Sequence, residues 1–496
     1  MRRAGILLHP TSLPGAGPCG DLGDGALRFL DWLHAAGCGL WQVLPLNPPG
    51  AGFSPYDSPG AMAAGTHLLS VHRLVRDGLL KADELGQPSR GAGLPDRVDV
   101  DRLKAWHEPL VDTAAARLAE GDPGAVEAFT QSQPWVADWA LYRALLRYRG
   151  ATSWAELSPA LRDREPEALQ RAREQFDAVI RREVAAQLLF RRQWGELRAA
   201  AAERGVAIIG DLPIFVSGGG CDVWANRSLF RGAQGEGGAW SADPVTGVPP
   251  DYFSPMGQRW GNPHYAWEAH EATRYAWWSQ RFRTLFDLCD EVRVDHFRGF
   301  AAAWEIRAHS DDARTGAWAP GPGIRLFEAV RAAIGKLPLI AEDLGVITPD
   351  VEALRDGLGL PGMKILQFAW GGGADHPFRP HNWPHPRWVA YTATHDNDTC
   401  RGWYASAPAV EQHRYRVYCG RDGAEPHWDL IRLAWASVAE QAIAPLQDVL
   451  GLDSDARMNT PGTLTGNWTW RAPSLPDWAA TRLRDLGDSY GRSLPA

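Results

Sequence analysis

The residues best suited to chemistry in this sequence are carboxylates standing at the ends of apolar runs. The run 291–299 alternates apolar with charged residues and closes on Gly299. Side chains in a strand have a period of two, so Arg293 and Asp295 share one face while Val292 and Val294 share the other. Burying either charge alone is costly. An arginine near the mouth of a pocket, however, keeps its aspartate ionised, the state a nucleophile needs. On this segment alone, a purely structural Arg293–Asp295 pair explains the pattern equally well. Two later runs shift the balance: 337–345 delivers Glu342 and Asp343 after an apolar stretch, and 388–398 ends in His395, Asp396, Asn397 and Asp398. Three apolar runs, each delivering acids at its C-terminal end and separated by enough chain for helices, describe the catalytic face of a β/α barrel.

Such a set narrows the reaction. Glycosidic cleavage needs one carboxyl to protonate the leaving oxygen and a second carboxylate to receive or stabilise the sugar carbon. Asp295, beside Arg293, suits the ionised role. Glu342 suits the protonated one, because an apolar strand end and a nearby like charge both favour its acid form. Asp343 alternates onto the opposite face, where it is expected to bind backbone or a helix. Asp396 is left for orientation, through hydrogen bonds to sugar hydroxyls that strengthen as the ring distorts. Two other readings compete. A metal-dependent hydrolase could draw ligands from His296, His395, Asp396 and Asp398, but no His-x-His pair or recurrent spacing supports a cage. A noncatalytic carbohydrate-binding protein could use the same aromatic residues, but it gives no reason for acids at three strand ends. Of 24 tryptophans, Trp224, Trp240, Trp260, Trp383, Trp403 and Trp468 stand in loop-like surroundings, where aromatic faces suit sugar rings.

The elements that must position these acids are read as an α/β fold, a (β/α)8 TIM barrel spanning residues 1–496. It is interrupted by a mainly helical insertion at 62–200 and a loop-rich insertion at 215–267. Strands are expected within 5–10, 39–46, 205–213, 291–299, 337–345, 362–368 and 391–396, with the eighth near 456–459 after a helix at 427–446. A helix capped by Asp24 carries Leu27, Leu30 and Leu33 at helical spacing, and another closes the chain near 477–486.

Charge and composition exclude several partners. The formal net charge is -8, with no polybasic run, so neither nucleic acid nor an anionic membrane is expected. No apolar stretch reaches spanning length, and the start is too short in apolar residues for a signal peptide. The six cysteines are scattered and form no metal motif; they read as free thiols in a reducing cytosol, which makes the expected location cytoplasmic. The glycine clusters at 218–220 and 371–373 lack the context of a dinucleotide or phosphate loop, so no cofactor or metal is expected.

Several longer motifs go together: His9-Pro10-Thr11-Ser12-Leu13-Pro14, the stretches 247–253 and 257–263, Val294-Asp295-His296-Phe297-Arg298-Gly299, Ala341-Glu342-Asp343-Leu344-Gly345, Thr394-His395-Asp396-Asn397-Asp398-Thr399 and Asn467-Trp468-Thr469-Trp470-Arg471. With these the chain resembles the 4-alpha-glucanotransferases, called amylomaltases or disproportionating enzymes, of glycoside hydrolase family 77 in the alpha-amylase superfamily. The resemblance implies a retaining double displacement on maltooligosaccharides and alpha-1,4-glucans. It makes Asp295 the nucleophile, Glu342 the acid/base and Asp396 the third acid. It places Arg293, His296 and His395 around the donor sugar, and Tyr56, Asp251, Gln258 and Trp260 in loops that line the cleft. It also implies transfer to the 4-hydroxyl of an acceptor glucan or glucose, with a retaining alpha-1,4-glucan hydrolase as the alternative. Oligomeric state stays open, with a monomer favoured.

Overall fold

Strand alternation sorts the apolar side chains into two separate buried clusters. Leu7, Leu40, Ile209, Ile340, Ile365, Tyr391 and Ile443 fall in one, while Ile6, Trp41, Ile208, Val294, Ala341, Ala390 and Ala442 fall in the other. The first fills the inside of a barrel; the second lies between barrel and helices. The computed structural model describes residues 2–86, 96–234, 240–250 and 255–495.

The barrel strands are β1 (Arg3–Leu7), β2 (Leu40–Gln42), β3 (Ala207–Pro213), β4 (Glu291–Asp295), β5 (Leu339–Ala341), β6 (Gly362–Ile365), β7 (Trp388–Tyr391) and β8 (Gln441–Pro445). They form one eight-stranded sheet in the order β5-β4-β3-β2-β1-β8-β7-β6. Every ladder in it is parallel. Beyond that sheet the Ala341 backbone N–H donates to Pro361 O at 2.9 Å, which ties β5 to the approach of β6 and nearly closes the ring. The architecture is therefore a (β/α)8 barrel, with its strand ends gathered at one mouth. Gly5 is required where β1 meets β2, since a Cβ there would come within 2.4 Å of the Leu40 Cβ.

Between β2 and β3 the chain builds helices that include Glu108–Gly121, Trp135–Arg149 and the 27-residue Asp177–Glu203. The last of these carries Gln187 and Gln193, whose amides bond both backbone groups of Ala64 and of Ser70 at 2.8–3.1 Å. After β3 and β4, the segments Gly316–Pro320, Ala302–Ile306, Val245–Val248 and Gln258–Pro263 form a four-stranded antiparallel sheet in that order.

Strand eight is a correction. It is Gln441–Pro445, not 456–459, and the helix expected at 427–446 is Pro426–Ala436. The sequence QAIAP holds one β-branched residue among alanines, so it extends the preceding helical pattern by propensity alone. All five residues are buried, and pairing with both β1 and β7 overrides that propensity. β7 also stops at Tyr391, earlier than the expected 391–396, which leaves His395 and Asp396 in the loop beyond it.

Candidate active site

Asp211 and Arg293 occupy paired positions on β3 and β4. Their side chains enter the barrel from adjacent strands at one level. Arg293 Nη1 donates to both Asp211 carboxylate oxygens, at 3.0 and 2.8 Å, and Nη2 donates to Asp295 Oδ1 at 2.9 Å. Tyr56 Oη closes the group, donating to Asp211 Oδ2 at 2.9 Å. Burial alone pulls the Arg293 pKa down, but Asp211 and Asp295 outweigh it and hold the guanidinium well above its usual value. Complete burial pushes the Asp211 carboxyl up to about 7 against the pull of Arg293. Asp295 is the last residue of β4, and its side chain stays 30% exposed in the cleft while Arg293 fixes one of its oxygens.

Beyond Asp295 the chain turns sharply, with His296 at φ 51°, a left-handed conformation uncommon outside glycine. That turn aims the His296 backbone N–H at Glu342 Oε2, 2.7 Å away; the Leu344 N–H binds Oε1 at 2.9 Å. Burial, then the charge of Asp295, raises the Glu342 carboxyl to about 8 against the pull of Arg293 and the two N–H groups. At neutral pH this acid carries its proton. Asp343 turns the other way, accepting from the Met363 N–H at 2.7 Å and from Arg355.

Asp396 is held from three directions. Asn459 Nδ2 donates to its Oδ1 at 2.6 Å, His395 Nε2 lies 3.4 Å from Oδ2, and Arg457 Nη2 binds its carbonyl oxygen at 2.6 Å. The segment 456–459, expected as strand eight, thus supplies in Arg457 and Asn459 the brace of this loop. Further back, Thr392 Oγ1 and the Cys400 N–H each donate to buried Asp448 at 2.7 Å, pinning both ends of the loop that carries His395 and Asp396. Burial lowers the pKa of His395, with Asp396 opposing, and burial takes His296 down to about 3, so the His296 ring is neutral. His296 Nε2 is buried with no hydrogen-bond partner among the described residues.

One cleft of about 1010 Å³ contains Tyr56, Gln258, Trp260, Arg293, Asp295, His296, Glu342, His395 and Asp396 together. Asp251 lies outside the described residues. Tyr56 stacks on His395 with centroids 5.0 Å apart, and Trp260 meets His296 edge to face at 4.8 Å while donating to Gln258 Oε1 at 3.2 Å. Sequence reasoning passed over three residues here as parts of the site: Asp211, Arg457 and Asn459. Asp211 carried the same signal as the other acids, a carboxylate closing an apolar run. Trp468, one of the loop tryptophans expected to suit sugar rings, borders the cleft at φ 64° with its ring 5.5 Å from that of Tyr56.

The family model for 4-alpha-glucanotransferase matches residues 8–476. The chain belongs to the 4-alpha-glucanotransferase family. It is 45% identical over 503 residues to the chloroplastic/amyloplastic 4-alpha-glucanotransferase DPE1 of Arabidopsis thaliana, covering 99% of this chain and 86% of the plant protein. The 4-alpha-glucanotransferase of Thermus thermophilus is 45% identical over 505 residues, with 99% of each chain covered. Among solved structures, amylomaltase from Streptococcus agalactiae in complex with acarbose superposes with a TM-score of 0.95 at 34% identity, covering all of both chains. In this member of the 4-alpha-glucanotransferase family, the mouth of the barrel offers a protonated carboxyl, an arginine-bound carboxylate and a braced third acid around one cleft. Those groups suffice for acid-assisted cleavage of an acetal.

Proposed function

We propose that this protein transfers alpha-1,4-glucan segments to the 4-hydroxyl of an acceptor glucan or glucose, by a retaining double displacement. The observation that carries this reading is the pairing of a Glu342 carboxyl raised to about 8 with an Asp295 carboxylate fixed by Arg293, in one cleft of a chain from this family. In the first half-reaction Asp295 attacks the anomeric carbon while Glu342 gives its proton to the departing glycosidic oxygen. Glu342 is then a carboxylate and takes the proton of the incoming 4-hydroxyl in the second half-reaction, so two inversions retain the alpha configuration. Asp396, held by Asn459, receives hydroxyl hydrogen bonds of the distorted donor sugar. Arg293, His296 and His395 surround that sugar; Tyr56, Gln258 and Trp260, with Asp251, line the approach.

The same reading treats the chain as one catalytic barrel interrupted at 62–200 and 215–267. Support comes from the second insertion, which supplies Phe215, Pro249, Gln258, Trp260 and Asn262 to the cleft. It includes a cytoplasmic location, maltooligosaccharides and alpha-1,4-glucans as partners, and no nucleic acid, membrane, metal or cofactor; a monomer is favoured. Six unpaired cysteines and the net charge of -8 support it, and no helix among the described residues is long and apolar enough to cross a membrane.

Product analysis with maltotriose tests transfer against hydrolysis. Transfer gives early glucose with maltopentaose and longer alpha-1,4 products, and little net gain in reducing ends. Reducing ends rising in step with substrate loss, with no product longer than the substrate, identify a retaining hydrolase instead.

A further inference from the structure

Trp318 sits at the centre of the strand Gly316–Pro320, opposite Trp304 in the antiparallel register, and the two rings meet edge to face at 5.2 Å. The residue is 37% exposed and borders the same cleft as the three acids. The Arg298 guanidinium packs 3.6 Å from the ring centroid. Arg298 is only 5% exposed, and its hydrogen bonds among the described residues go to the carbonyl oxygens of Ala302 and Val346, not to a carboxylate. Asp350 attracts it by charge, but the groups that bind the nearly buried guanidinium directly are carbonyl oxygens, a costly placement for a cation. Its placement makes sense if its task is to fix the plane of the indole and to fasten that ring to the loop behind Glu342.

That loop gives the position of Trp318 along the cleft. Glu342 is held by the Leu344 N–H, Val346 follows two residues later, and Arg298 joins the Val346 carbonyl to the Trp318 ring. One wall therefore runs from Glu342 through Val346 and Arg298 to Trp318. Asp396, Asn459 and Trp468 line the same cleft as a separate group joined through His395. An acid that protonates the leaving oxygen stands between the donor sugar and the sugar that departs, and the Asp396 group serves the donor. The Glu342 wall beyond it belongs to the acceptor.

We propose that Trp318 is a stacking platform for a distal acceptor glucose, at least one sugar beyond the residue whose 4-hydroxyl takes the transferred segment. The platform rests on the transfer reading given above. It makes acceptor length a property of this ring: glucose alone does not reach it, whereas maltotriose does.

The test uses alpha-maltosyl fluoride as donor, because its leaving group is fluoride and the donor places no demand on the acceptor side. Steady-state kinetics with glucose and with maltotriose as acceptors are compared in the parent enzyme, Trp318→Leu and Trp318→Phe, each checked for parent-like thermal unfolding. Leucine still covers Arg298 but offers no aromatic face; phenylalanine restores one. With the platform, Trp318→Leu raises KM for maltotriose about tenfold, the size of one lost ring contact. Its kcat and its use of glucose stay within about twofold, and Trp318→Phe recovers most of the maltotriose affinity. Where the parent transfers normally, equal losses with both acceptors, or a maltotriose KM unchanged in Trp318→Leu, overturn the platform alone. A parent that releases fluoride without transfer to either acceptor overturns the transfer reading, and the platform with it.

Discussion

Replacing Glu342 by glutamine removes one titration and leaves a signature in stability as well as in rate. Glu342 titrates at 4.5 in an unfolded chain and at about 8 in the fold, raised by burial and by Asp295. Between those values the folded protein keeps a proton that the unfolded chain has released, so an acid raised in this way makes stability fall as pH rises from 4.5 to 8. The permanently neutral Glu342→Gln does not follow that fall. Linkage gives a parent-minus-variant change of roughly 3 kcal/mol between pH 5 and 7.5. Cleft water reaching the half-buried side chain screens part of this, so the figure is an upper bound. Glutamine cannot accept from both the His296 and Leu344 N–H groups at once, which shifts the whole curve by about 1–3 kcal/mol without changing its slope. For a chain of 496 residues the unfolding entropy is roughly 1 kcal/mol per degree, so the variant's Tm gains up to roughly 3 °C on the parent over that pH range. Calorimetric scans of both proteins at several pH values measure it. A Tm difference that stays flat from pH 5 to 8 refutes the protonated acid, because Glu342 is then already ionised in the fold.

Three further outcomes follow from the same geometry. Asn459→Ala frees one oxygen of Asp396 and should lower kcat by about 10–100-fold while leaving the fold intact, read by steady-state kinetics beside circular dichroism. Arg293→Lys keeps a charge but cannot bridge Asp211 and Asp295 together. It should cost at least about 100-fold in kcat/KM and destabilise by roughly 2–4 kcal/mol in denaturant titration. Exhaustive chelation should leave glucan transfer nearly unchanged, since no group of three or more His, Cys, Asp or Glu suited to a metal occurs among the described residues; activity lost to chelation and restored by one divalent ion contradicts that.

The acids were legible because their signal is local. A carboxylate closing a short apolar run needs only strand periodicity and the knowledge that barrel strands end at one mouth, and this placed Asp295, Glu342 and Asp396 in one cleft before any coordinates. The same rule applied evenly would have added Asp211, whose partner Arg293 becomes visible only through the register of β3 with β4. β8 was misplaced because alanine-rich strands between two neighbours draw their stability from tertiary pairing, which no local propensity reports. Asn459 and Arg457 were hidden for a related reason: they bind Asp396 across 60 or more residues, and Arg457 does so through a main-chain oxygen. Trp318 lay in a stretch with no acid and no strand signal, and it matters only because Arg298 holds its ring.

The most direct test of the account asks which carboxylate becomes covalently glycosylated. A slow, activated glucosyl donor such as a 5-fluoro glycosyl fluoride traps the intermediate, and peptide mass analysis then locates the added sugar. The geometry predicts a single modified peptide carrying the label on Asp295, absent in Asp295→Asn. A label on Glu342 or Asp396, or turnover of the trap with no covalent adduct on any carboxylate, contradicts the double displacement assigned to this cleft.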